Sequence, residues 1–280
     1  MIKTIGIIGG RGMMGQMFVP AFESLGCEVM VSGSYDQHLE QTLVKECEMV
    51  IISSPLDKSV EVIHRIKGWL KQGQLISDFT SVKNAIVPEM LKTDADVIST
   101  HPMFGRVNDI KGNNVIILPV RPGKWEHKVE RLYKSLDLNT TVLQDWKEHD
   151  KMMSLIQGLM HFIHITFSHA LEKSGVDLDL LLSICSPVYQ ANFAFACRIL
   201  QRDPGLYGHI LIDNPQNTQV IKHFLDEAHN SLKTIENKDF EGFNHQFAKT
   251  KDFLGTQGET FSKQSDYLIE ALKNYQPPKS

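Results

Sequence analysis

The chain has 280 residues, 42% of them hydrophobic and 22% charged, with a net charge of −4. That length suits two domains, and that balance excludes disordered, fibrous and low-complexity classes. It also gives no electrostatic reason to prefer nucleic acid or an anionic membrane.

The charge is evenly spread, with no acidic or basic tail. The longest apolar stretches, such as Met49–Ile52 and Val115–Leu118, fall far short of the roughly 18 residues a membrane helix needs. The N-terminal apolar run is too short for a signal peptide, so a cytoplasmic address is expected. Cys27, Cys47, Cys185 and Cys197 form no ligand-like spacing and read as reduced thiols.

The first half alternates between strand and helix signals. Apolar runs at Thr4–Ile8, Glu28–Val31, Met49–Ser53, Leu75–Asp78, Val97–Thr100, Val115–Leu118 and Thr140–Leu143 read as strands. Between several of them, helical periodicity appears at Met13–Leu25, Leu39–Glu46, Lys58–Leu70 and Trp125–Leu136. This pattern predicts an α/β domain with a largely parallel sheet covered on both faces.

From about Lys147 the strand signals vanish. Lys147–Ser174 is one periodic run with Gly175 as its C-cap, which predicts a helix roughly 40 Å long. Ser186-Pro187 opens a helix to about Arg202, which Asp203-Pro204 stops. Asn214-Pro215 opens another to about Glu236, Asp239 caps a further one, Thr260–Tyr275 is the last, and Pro277-Pro278 ends the order. The expected domains are therefore 1–148 and an all-helical 149–280. A long helix with many apolar residues wants partners on several faces, and a dimer built from helical domains would supply them.

Gly10-Arg11-Gly12-Met13-Met14-Gly15 fits G-x-G-x-x-G between a strand and a helix. In that context the glycines bring backbone N–H groups and a helix N-terminus to a dinucleotide's pyrophosphate. Gly10 is expected to allow the tight turn, Gly12 the phosphate approach and Gly15 the close helix packing. Ser53, ending the third strand, and Pro55 just after it are further expected cofactor contacts. The second strand ends in Ser32-Gly33-Ser34 with no acid in place, Asp36 coming later. Two hydroxyls beside Arg11 suit a 2′-phosphate, so the expectation tilts to NADP over NAD.

Ser81 and His101 follow strand ends, where open α/β sheets place ligands. In the helical half His161, His164 and His169 share one helix, but no acid completes a metal set and no metal site is expected. Arg198 sits in the apolar run 193–200 and wants an anionic partner, either a nearby carboxylate or that of a substrate.

These blocks carry a resemblance. Gly-Gly-Arg-Gly-Met-Met-Gly (9–15), Asp-Phe-Thr-Ser-Val-Lys-Asn (78–84), His-Pro-Met-Phe-Gly (101–105), Glu-His-Asp-Lys-Met-Met (148–153), Ile-Gln-Gly-Leu-Met-His-Phe (156–162), Ser-Pro-Val-Tyr (186–189) and Arg198 run in order along the chain. Together they resemble the prephenate dehydrogenases of tyrosine biosynthesis, the TyrA family. The resemblance implies a Rossmann-type dinucleotide-binding domain followed by an all-α dimerisation and substrate domain, assembled as a homodimer. It implies oxidative decarboxylation of prephenate to 4-hydroxyphenylpyruvate with hydride transfer to NAD or NADP. Under it His101 is the catalytic base and Ser81 orients His101 and touches substrate and cofactor. Arg198 holds the ring carboxylate, His161 lies against the substrate, and Arg106 or Lys83 adds positive charge.

Two positions depart from the family pattern: Arg106-Val107 replaces an acidic residue, and Gln190 replaces an arginine. Arogenate dehydrogenase is therefore the alternative, with a β-hydroxyacid-type dehydrogenase behind it. With no space before Thr4 for a mutase domain and none after Tyr275 for a regulatory one, a monofunctional enzyme is expected.

Overall fold

The computed structural model describes residues 2–275. The elements of the sheet region are β1 (Thr4–Ile8), α1 (Met13–Ser24), β2 (Glu28–Ser32), α2 (Glu40–Glu46), β3 (Met49–Ile52), α3 (Leu56–Ile66), β4 (Leu75–Asp78) and α4 (Ile86–Met90). They continue with β5 (Asp96–Pro102), β6 (Asn114–Arg121), α5 (Glu126–Lys134), β7 (Asn139–Val142) and α6 (Trp146–Met153).

The strands form one seven-stranded sheet in the order β2-β1-β3-β4-β5-β6-β7. Every pairing is parallel except β5 with β6. Strands β1, β3, β4 and β5 therefore end on the same edge, and ligands of such sheets bind beyond that edge. The apolar runs are continuous because both faces are covered. On one face Ile5, Ile7, Met49 and Ile51 pack with Phe18 and Phe22 of α1 and Val129 and Tyr133 of α5. On the other, Ile8, Val50, Ile52 and Ile76 pack with Leu43 of α2, Ile63 of α3 and Val87 of α4.

The helical region comprises α7 (Met160–Ser174), α8 (Leu178–Ile184), α9 (Pro187–Leu200), α10 (Pro204–Ile212), α11 (Gln216–Glu236) and α12 (Phe240–Lys273). Packing divides the chain into two compact units. The first runs through Ile156 and takes in Gly208–Gln216, and the second is Gln157–Tyr207 with the chain from Asn217 onward. In the second unit α9 packs on both α7 and α12.

Several expectations change in detail. The long run over Lys147–Ser174 contains a π-helical turn, Ser154–Leu159, between α6 and α7. Gly158 lies there, and a Cβ on it would meet Asn217 Oδ1 at 2.0 Å. Asp203-Pro204 stops one helix and also starts another, since α10 begins at Pro204. Asp239 caps as expected, accepting from the Gly242 N–H at 2.8 Å, and a separate last helix follows, though it does not begin at Thr260. The run is instead interrupted at Gly255 (φ 50°). Gly175 closes α7 in the left-handed conformation (φ 65°), and Ser186 caps α9 by accepting from the Tyr189 N–H. Helices α4 and α8 carry too few residues to show a period. Pro277-Pro278 lies outside the described residues.

Candidate active site

The glycine turn joins β1 to α1. Gly9, not Gly10, makes the tight turn, with φ +85° and its N–H donated to the Ser32 carbonyl at 2.8 Å. Gly15 permits the close approach of α1, because a Cβ there would stand 2.0 Å from the Gly10 carbonyl oxygen. Gly12 is the N-cap of α1 and gives no side-chain cap, and no acidic residue occupies the first turn. The first amide groups of α1 thus keep their donors for a phosphate, with Met13 and Met14 opening that turn. Among the described residues, this turn fits a dinucleotide.

The cradle for the adenosine end differs from expectation. Ser32 is completely buried, so its hydroxyl cannot meet a 2′-phosphate. Asp36 does occupy the end of β2: the chain folds back through Ser34, and the Asp36 carboxylate accepts from the Gly33 N–H and from the Arg11 guanidinium. These bonds, the Arg11 one foremost, hold the Asp36 carboxyl below the usual carboxylate range. Arg11 is therefore paired with a carboxylate of its own chain. Ser53 is half-buried and Pro55 exposed at the start of α3, on the same sheet edge.

At the end of β4, Asp78 organises a buried polar cluster. Its carboxylate accepts from Ser99 Oγ at 2.5 Å, Thr80 N at 2.9 Å, Thr80 Oγ1 at 2.6 Å and Lys83 Nζ at 2.6 Å. Lys83 also donates to the Thr100 carbonyl at 2.8 Å, and both Lys83 and Asp78 side chains are fully buried. Lys83 is thus spent inside the fold and does not offer its charge to a substrate. Burial pushes its pKa down, and Asp78 opposes that shift.

His101 stands at the end of β5 and is 3% exposed. Its Nδ1 lies 3.0 Å from Nε2 of His149, on α6. Nδ1 of His149 lies 2.9 Å from Oδ1 of Asp150. Asp150 in turn accepts from the Lys83 N–H at 3.0 Å and the Asn84 N–H at 2.8 Å, while its carbonyl takes the Asn214 amide at 2.7 Å. Burial, and then the nearby Lys83 and His149, push the His101 pKa well below 6.5. Burial also lowers His149, against the pull of Asp150. Both rings are neutral near pH 7.

Ser81 does not orient His101 as expected. Its hydroxyl is buried and makes no hydrogen bond within the described residues, whereas His149 holds the ring at Nδ1. Nothing in a single sequence joins two histidines 48 positions apart, although Glu-His-Asp (148–150) already stood out as a block.

In the second unit, His161 of α7 meets the Tyr207 ring edge-on at 5.0 Å, and burial lowers its pKa to about 4. Arg198 of α9 is exposed and has no carboxylate within ion-pair distance among the described residues. The bland partner for Arg198, a neighbouring acid, is absent there. No cluster of three His, Cys, Asp or Glu side chains that could hold a metal occurs among the described residues. No helix of the described residues is long and apolar enough to cross a membrane.

The family model described as prephenate dehydrogenase, nucleotide-binding domain, matches residues 27–120, and the one described as prephenate dehydrogenase, dimerization domain, matches 145–249. A T-protein of Haemophilus influenzae is 30% identical over 272 residues, covering 96% of this chain and 72% of that protein. The chain belongs to the prephenate dehydrogenase family. Another member of this family, a probable arogenate/prephenate dehydrogenase of Methanocaldococcus jannaschii, is 28% identical over 290 residues, 96% of this chain and 65% of that one. The crystal structure of prephenate dehydrogenase from A. aeolicus in complex with hydroxyphenyl propionate and NAD+ shares the fold. It covers 92% of this chain and 98% of that chain, with a TM-score of 0.70 at 17% identity.

Proposed function

We propose that this member of the prephenate dehydrogenase family oxidises prephenate to 4-hydroxyphenylpyruvate and CO2. The observation that carries the reading is a neutral, buried histidine, His101, on the sheet edge that also bears the glycine turn. When bound, the nicotinamide dinucleotide accepts a hydride, which is chemistry no side chain supplies. Gly9 to Gly15 and the first turn of α1 would hold its phosphates.

His101 takes the proton of the ring hydroxyl as C4 is oxidised. Neutrality suits this role, because an imidazolium has no lone pair to offer. Ser81, with its hydroxyl uncommitted within the chain, is the proposed second contact to the substrate hydroxyl and cofactor. Arg198 is the proposed ligand of the ring carboxylate, where its fork makes paired hydrogen bonds. His161 is the proposed apolar-side contact and stays neutral there. Aromatisation drives the loss of CO2, so the residues need only orient the carboxylate.

Within this proposal NAD is preferred to NADP, which reverses the expectation from sequence. A carboxylate at the end of β2 accepts hydrogen bonds from a ribose diol and repels a 2′-phosphate. Asp36 is such a group, and of the two hydroxyls behind the tilt to NADP, Ser32 is buried and only Ser34 is exposed. Prephenate is preferred to arogenate because the loop after His-Pro-Met-Phe-Gly carries the cation Arg106 where an acid would favour an ammonium group. A homodimer is also proposed. The family model over 145–249 is a dimerization domain, and Phe240, Phe247 and Phe253 of α12 are exposed.

The test is nicotinamide reduction with prephenate and with arogenate, each paired with NAD and with NADP. Turnover is expected with prephenate and NAD. Folded protein that binds nucleotide but turns over neither substrate refutes the reading. A higher kcat/KM with NADP refutes the cofactor assignment alone. A monomer by light scattering at micromolar concentration refutes the dimer.

A further inference from the structure

The three-residue chain Asp150–His149–His101 has a definite polarity. Two backbone N–H groups, from Lys83 and Asn84, already point at the Asp150 carboxylate. A third N–H is what its Oδ1 is suited to accept, so His149 carries its proton on Nδ1 and donates it across 2.9 Å. A neutral His149 then presents a bare Nε2, which can only accept. The facing atom, Nδ1 of His101 at 3.0 Å, must be the donor. A neutral ring holding its proton on Nδ1 has its lone pair on Nε2.

We propose that His149 and Asp150 are positioning residues that lock His101 in the tautomer protonated at Nδ1, so that Nε2 is the base. The role of that base rests on the function proposed above, whereas the tautomer does not. The relay is rigidly built. Asp150 is held by two amide donors and, through its carbonyl, by Asn214, which is 2% exposed. His149 is fully buried, and the Lys83 ammonium bonds Asp78 rather than the Asp150 carboxylate. A neutral imidazole left alone exchanges between tautomers. Fixing one of them through a carboxylate-bonded partner is the same principle by which an acid holds the base of a hydrolytic triad. Here a second histidine stands between the acid and the base, extending the reach from α6 to the end of β5.

The test combines spectroscopy and kinetics on the full chain. Histidine-labelled protein is examined by long-range proton–nitrogen correlation, with the His101 signals assigned by their loss in His101→Asn. Wild-type protein is expected to show His101 protonated at Nδ1. In His149→Phe the proton distributes toward Nε2, and kcat falls about 10- to 100-fold while KM changes by less than about threefold. His149→Gln restores an acceptor at similar reach, and so restores the Nδ1 proton and most of kcat. A wild-type His101 protonated at Nε2 overturns the relay, and this observation does not depend on the His149→Phe protein folding. So does a His149→Phe protein with unchanged tautomer and unchanged kcat. If prephenate is not turned over but the tautomer is as stated and is lost in His149→Phe, the relay stands and only the substrate reading falls.

Discussion

Replacing Lys83 by methionine separates a structural lysine from a substrate ligand. Methionine keeps the length and apolar stem and deletes the ammonium. In the wild type that ammonium holds Asp78 at 2.6 Å and the Thr100 carbonyl at 2.8 Å, with neither charged side chain exposed at all. Removing one member of such a pair leaves a buried charge without its counter-ion, a change that typically costs about 3–5 kcal/mol. Asp78 keeps three other donors, Thr80 N, Thr80 Oγ1 and Ser99 Oγ. The loss therefore belongs at the lower end, about 3 kcal/mol. For a unit of this size that is a fall in Tm of about 6–12 °C. The assay is urea and thermal unfolding followed by circular dichroism, alongside substrate kinetics at a temperature where the variant is folded. Adding Asp78→Asn to Lys83→Met should recover part of the loss, because the neutral amide removes the unpaired charge while retaining an acceptor for Ser99. A loss below about 1 kcal/mol, with a large rise in KM for prephenate, would show that Lys83 faces the substrate and would refute the reasoning.

Other consequences are equally open to measurement. Gly15→Ala should weaken dinucleotide binding about tenfold or more, since its Cβ meets the Gly10 carbonyl oxygen at 2.0 Å and must push apart turn and helix. Titration of nucleotide into the variant by calorimetry, with wild-type affinity as the refuting result, checks this. Because the His101 pKa is held well below 6.5, the acid limb of kcat/KM should lie below pH 6.5, and a limb at or above pH 7 would contradict it. Stability should respond to the same burial. His101, His149 and His161 all have folded pKa values below the unfolded value near 6.5, so the unfolded chain binds more protons. Stability from these groups is fully present above about pH 6.5 and declines as pH falls, for His161 down to about 4. Urea midpoints that stay flat between neutral pH and pH 5 would refute this.

The sheet was legible because each strand is a short apolar run ended by glycine or a polar turn. Thr4–Ile8 and Leu75–Asp78 fall on the residues expected of them. The glycine turn was equally plain, since its spacing follows from backbone sterics alone. What escaped was set by tertiary contacts. Asp36 sits four residues beyond the end of β2 and reaches its place only because the intervening chain turns back to Gly33 and Arg11. Lys83 looked like free positive charge, and nothing local reveals that Asp78 consumes it. His101 could be singled out by its position after a strand, but its partner could not. His149 lies on a helix in a distant stretch, and only folding brings the rings together. Helix α4 was missed because five residues are less than two turns.

The π-helical turn at Ser154–Leu159 makes chain length a hidden determinant downstream. Such a turn accommodates one residue more than the regular spiral would. Deleting one residue there would leave the hydrogen-bonded rod continuous, and the change would pass for a mild one. Each side chain from Met160 to Ser174 would nevertheless turn by about 100° about the axis. His161 would leave the ring of Tyr207, although neither residue had been altered. In this stretch the count of residues, as well as their identity, carries the information that aims the helix.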